Sequence, residues 1–116
     1  MSGFRFPKEE RMRADREYRE VVTRGQRVRT EHFSVYRDLG TPGRKVGISV
    51  GKRVGSAVVR NRIKRVVREF CRLNRNVFPE GSRTAIVARK ALPEVTLATV
   101  QKELLPAIAQ RWGAEG

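Results

Sequence analysis

The side chains with chemical potential in this 116-residue chain are mostly cationic, and they crowd into one stretch. Lys52 and Arg53 are followed by Arg60, Asn61, Arg62, Lys64, Arg65, Arg68 and Arg72. Guanidinium forks hold phosphate oxygens two hydrogen bonds at a time, so this set suits a polyanion. Hydrolysis by the chain itself needs convergent groups: a pair of histidines, a Cys–His pair, or carboxylates sharing a metal. His32 is the only histidine and Cys71 the only cysteine. A lone histidine at a strand start reads as structural or solvated, and Cys71, at the rim of an apolar helix stripe, as a buried inert thiol. Glu9 and Glu10 are adjacent and the other carboxylates are scattered. Gly51 and Gly55 precede a helix but lack the Lys-Ser/Thr ending of a nucleotide-binding loop. No residue is assigned a catalytic or metal-ligating role.

The basic side chains need an element to array them. On a wheel of about 100° per residue, Ser56–Asn74 places Val59, Ile63, Val66, Val67 and Phe70 on one stripe. Asn61, Lys64, Arg65, Arg68 and Arg72 lie opposite, with Arg60 and Arg62 on the shoulders and Glu69 the one acidic neighbour. Like charges at i, i+4 oppose the helix by a few tenths of a kcal/mol per pair, which phosphates along a groove would offset. Ser56 is the expected N-cap, after a flexible basic connection at 51–55.

Around this helix, Asp15 reads as the N-cap of a short helix carrying Tyr18, Val21 and Val22, stopped by Gly25. Arg27–Asp38 reads as extended, with Phe33 and Val35 alternating against Ser34 and Tyr36. Leu39–Gly43 is a turn through Pro42 and Gly43, after which a hairpin partner is expected. In that partner Val46, Ile48 and Val50 form a core face, and Gly47, Ser49 and Gly51 a bare one. A bare face either admits another backbone or tucks beneath a helix or loop. Ser82–Ala88 is a short apolar strand. Thr96–Ile108 is an amphipathic helix that Pro106 should kink or end. Helix, two or three strands, helix, strand and helix make one α/β sandwich, a single domain over residues 1–116 with residues 1–13 as a flexible arm.

Composition agrees. There are 26 Lys and Arg against 12 Asp and Glu, a formal charge of +14. The surplus is +3 over residues 1–43, +10 over 44–75 and +1 over 76–116. A solvated surface intersperses both signs, so a block this lopsided marks a nucleic-acid footprint. The length excludes a large enzyme with a cofactor domain. One cysteine excludes an internal disulfide and a Cys-rich zinc site, and fits a reducing cytoplasm. No apolar run has signal-peptide or membrane-spanning length.

The run Lys52-Arg53-Val54-Gly55-Ser56-Ala57-Val58-Val59-Arg60-Asn61-Arg62-Ile63-Lys64-Arg65 resembles the RNR motif of the protein subunit of bacterial ribonuclease P. The likeness extends from Arg11 to Leu105: Arg11 and Met12, Tyr18, Gly25, Phe33-Ser34-Val35-Tyr36, Val46-Gly47-Ile48-Ser49-Val50 and Ala88-Arg89-Lys90 stand in similar register. The resemblance implies an α+β two-layer sandwich of order α-β-β-β-α-β-α with a left-handed β-α-β crossover, a fold shared with ribosomal-type proteins. It implies one protein bound to one catalytic RNA, assisting removal of the 5′ leader from precursor tRNA, with magnesium held chiefly by the RNA. Carried over, it puts Lys52, Arg53, Arg60, Asn61, Arg62, Lys64, Arg65 and Arg68 against that RNA, and the charge pattern adds Arg72. Tyr18, Val22, Phe33, Tyr36, Arg89 and Lys90 would line a leader cleft. Val22 stands where relatives often carry a second aromatic, and Ser49 and Gly51 make the cleft floor small. Alternation, by contrast, puts Phe33 on the core face. The other readings of the basic helix are a structural ribosomal-RNA-binding protein and a helix in a DNA major groove.

Overall fold

The computed structural model describes residues 10–12, 15–40 and 42–113. Most of the expected arm over residues 1–13 lies outside these residues, but residues 10–12 run beside a strand. The order is α1 (Asp15–Arg24), β1 (Gln26–Arg29), β2 (Phe33–Leu39), β3 (Arg44–Val50), α2 (Ala57–Leu73), β4 (Ser82–Ala88) and α3 (Leu97–Trp112), with 3-10 turns at Lys52–Val54 and Arg75–Val77. The mixed sheet has strand order β1-β2-β4-β3.

Its register fixes what shares a face. β2 pairs antiparallel with β1 and β4, and β4 pairs parallel with β3. One face carries Phe33, Val35, Ile86, Val46 and Val50 beneath α2 and α3, where Ile63, Val67, Phe70, Val100, Leu104 and Ile108 complete the core. Phe70 and Phe78 meet edge to face, with centroids 6.3 Å apart. The opposite face carries the rows Arg27–Tyr36–Ala85–Gly47, Arg29–Ser34–Val87–Ser49 and Asp38–Arg83–Lys45, and α1 packs on this side through Tyr18.

Three strands precede α2, as the order α-β-β-β-α-β-α has it: the extended run from Arg27 divides into β1 and β2 because Thr30 turns the chain and its amide bonds the Phe33 carbonyl at 2.8 Å. Three expectations are corrected. The segment after Leu39–Gly43 does not form a hairpin with β2. β4, buried at Ala85, Ile86 and Ala88, takes the place between β2 and β3, because an apolar strand gains most at the sheet centre. α1 starts at Asp15 rather than after it. α3 passes through Pro106 to Trp112 and ends at Gly113, whose φ is +94° and whose amide bonds the Ala109 carbonyl. Proline removes one amide from the ladder, but Ile108 is buried beyond it and Trp112 Nε1 donates to Gln26 Oε1 at 2.8 Å, so packing carries the helix on.

Gly25 stops α1 by close approach. Its amide bonds the Val21 carbonyl at 2.8 Å, and a Cβ there would lie 2.5 Å from that oxygen and 2.9 Å from the Arg37 carbonyl. Only glycine lets α1 turn so tightly onto the sheet.

Candidate RNA interface

α2 builds the first surface. Ser56 Oγ accepts from the Val59 amide, as expected of the cap. Ile63, Val67, Phe70 and Cys71 are buried, which leaves Asn61, Arg62, Arg65 and Arg68 exposed and Arg60 and Lys64 half-buried. Arg60 Nε donates to the Gly55 carbonyl at 3.1 Å, tying the helix to the preceding turn, where Lys52 and Arg53 are exposed and Val54 is buried. Arg72 is held by Glu69, so it brings less free charge than its neighbours. Burial pushes the Cys71 thiol well above the ordinary range, and it has no surface for reaction.

The second surface is the opposite sheet face beside α1. Gly47 settles how its small residues are used: a Cβ there would meet Met12 at 3.1 Å and Tyr18 at 3.2 Å, so an arm residue and α1 close over it. Ser49 and Val87 stay half-buried beside them, and a Cβ on Gly51 would meet nothing. Tyr18 and Tyr36 are half-buried here. Among the described residues the Tyr18 hydroxyl is enclosed with no partner in full hydrogen-bonding geometry, the Ser49 side chain being its polar neighbour. Burial raises its pKa, the Ser49 side chain tempers the rise and Tyr36 adds to it. A planar, partly exposed tyrosine pair over a floor of small side chains suits the stacking of an unpaired base. Val22 is half-buried on the same helix and Lys90 is exposed after β4.

Phe33 requires a correction. It is fully buried in the core on the other face and offers nothing to a nucleotide, as β alternation requires. Arg89 is also committed: its guanidinium donates to the carbonyls of Thr30, Glu31 and Phe33, which holds the β1–β2 turn against the end of β4.

The two surfaces meet at the β3 edge. Arg68 of α2 lines a cavity of about 140 Å³ with Arg11, Met12, Val46, Gly47 and Ile48. The Met12 amide bonds the Val46 carbonyl at 2.9 Å and keeps this segment on that edge. Sequence reasoning missed the anchor of α1. Arg83 grips Asp38 at 3.0 and 2.6 Å and Glu20 at 3.0 Å, and the Asp38 hydrogen bonds above all keep it firmly protonated. The available signal was a lone arginine in an apolar strand and two glutamates one helical turn apart in α1. Among the described residues no group of three His, Cys, Asp or Glu could hold a metal ion, and no helix is long and apolar enough to cross a membrane.

The ribonuclease P family model matches residues 6–111. A ribonuclease P protein component from Desulfovibrio desulfuricans is 40% identical over 111 residues, covering 91% of this chain and 85% of that one. One from Syntrophobacter fumaroxidans is 42% identical over 103 residues, covering 87% of each. The solved ribonuclease P protein from Thermotoga maritima superposes with a TM-score of 0.75 at 31% identity, over 87% of this chain and 96% of its own.

Proposed function

The chain belongs to the ribonuclease P protein family, and from that premise we propose that it binds the catalytic RNA through α2 and the 5′ leader of precursor tRNA through the cleft beside α1. The observation that carries this reading is the junction at Arg68, where a helix face bearing one carboxylate meets a cleft floored by small residues and flanked by Tyr18 and Tyr36. A double-helical or folded RNA presents phosphates for the first surface, and an unpaired strand presents base faces for the second.

In this reading the RNA supplies the hydrolytic chemistry and holds the magnesium. The described residues do not fit a metal site of the protein's own: Glu10 is spent on Arg44 and Arg75, Glu69 on Arg72, and Asp38 and Glu20 on Arg83. The protein's part is to neutralise phosphates and to hold the leader away from the solvent, in the cytoplasm and with one copy per RNA.

Reconstitution with the cognate RNA at low magnesium tests the proposal. Leader cleavage should rise when the protein is added; no gain overturns it. In the same assay Tyr36→Ala should leave RNA binding intact and weaken precursor tRNA relative to mature tRNA by about 1–3 kcal/mol, the worth of one stacked base. An equal loss for both substrates would remove the cleft from the account.

A further inference from the structure

The sheet face that floors the cleft does not end at Tyr36. In the register, Arg27 stands directly across from Tyr36 and Arg29 across from Ser34, so β1 adds two guanidinium groups to the rows that begin at Gly47 and Ser49. Both residues are exposed, and among the described residues no ion pair or side-chain hydrogen bond engages either guanidinium. The alternate residues face the core side, where Gln26 bonds Trp112 and Val28 packs on the apolar cluster. The Arg27 carbonyl also accepts from Arg111 Nε at 3.3 Å, so the end of α3 steadies this four-residue edge strand.

Asp38, Glu17 and Glu20 belong to the Arg83 cluster one row farther along, Glu103 is taken by Thr30 and His32, and Glu31, exposed in the β1–β2 turn, lies 4.0 Å from the His32 ring. The face thus runs from the cationic edge at Arg68, past half-buried Ser49, Val87 and Tyr36, with Gly47, Ala85 and Ser34 buried beneath, to cations again at Arg27 and Arg29. Four strands span about 14 Å at the usual interstrand spacing, a reach of more than one nucleotide.

We propose that Arg27 and Arg29 hold backbone phosphates of the unpaired leader upstream of the nucleotide at Tyr36, so that the leader crosses the sheet from the β3 edge to the β1 edge. The polarity follows from α2: the catalytic RNA on that helix lies at the β3 side, so the nucleotides farthest from the cleavage point reach β1. This rests on the leader-binding reading above. Phosphate contacts carry no sequence preference, so the contribution depends on leader length and salt.

The test uses the reconstituted holoenzyme and precursor tRNAs with leaders of increasing length. Wild-type affinity should rise with leader length and then level off. Arg27→Ala with Arg29→Ala should bind mature tRNA and short-leader precursors as wild type does. With long leaders it should lose roughly five- to tenfold, and the salt slope should flatten by about 1.4 for two single-strand phosphates. Arg27→Lys with Arg29→Lys should recover most of the loss. If the double alanine variant keeps the full gain with length while Tyr36→Ala loses it, the track through β1 is wrong and the cleft stands. If wild-type affinity does not depend on the leader at all, both fall.

Discussion

Arg37 is the residue that conforms least to its surroundings. It is 2% exposed in the core-facing series Phe33, Val35, Arg37, where alternation calls for an apolar side chain. Its Nη2 donates to the Val77 carbonyl at 2.7 Å and its Nε to Thr84 Oγ1 at 3.1 Å, while among the described residues Nη1 is buried without a partner. The guanidinium lies 4.6 Å from the Trp112 ring centroid and 5.8 Å from that of Phe78. Burial lowers its pKa to about 10. The folded state therefore holds the proton less tightly than the unfolded chain, and this residue alone makes stability rise with pH between about 10 and its ordinary value. Arg37→Met should change stability by less than about 1.5 kcal/mol in urea denaturation, because an apolar chain fills the space and removes an imperfectly satisfied charge. Arg37→Ala, which leaves a cavity and orphans the Val77 carbonyl, should cost about 3 kcal/mol or more. Equal losses would mean that the charge, not the volume, is what the site needs. The sequence shows which face Arg37 takes, as it does for Phe33, but not that aromatic rings from α3 and from the segment after α2 would arrive to receive it.

At the scale of elements, local signals and long-range ones separate cleanly. α2 is legible because its cap, its stripe and its charges repeat within 17 residues. The sheet order is not, because β4 enters between β2 and β3 through pairing that no spacing in the chain encodes, and the Arg83 anchor of α1 spans 63 residues to Glu20. His32 is the same kind of case. Its amide donates to Glu103 Oε2 at 2.7 Å and its ring lies 2.8 Å from Oε1, while Thr30 Oγ1 donates to Oε2, clamping the β1–β2 turn to α3. Burial alone would raise the Glu103 pKa, but the hydrogen bonds from Thr30 and His32 prevail and hold it below the usual carboxylate range. A depressed carboxylate contributes stability above its unfolded pKa and loses it as pH falls through the folded one. Glu103→Gln should lower stability at neutral pH by about 1–2 kcal/mol and flatten the acid limb below about pH 4.5. An acid limb unchanged by the substitution would count against the clamp.

For the whole molecule the decisive quantity is the charge of +14, with its +10 block on and around α2. Such self-repulsion destabilises the compact state until anions collect on it. Phosphate or sulfate should raise the thermal midpoint more than chloride at equal ionic strength, and an anion at a hundred times its dissociation constant adds about 2.7 kcal/mol. Equal effects of all three salts would indicate screening alone.

The central position of β4 extends that argument from equilibrium to time. β2 can gain its inner neighbour, and β3 its neighbour within the sheet, only after the chain has passed through all of α2. The basic helix α2 therefore lies inside the loop that pairing β3 with β4 must close, and its like charges repel one another while that loop closes. An anion that relieves the repulsion along α2 should therefore speed refolding as well as stabilise the folded state, which stopped-flow refolding in phosphate against chloride would measure.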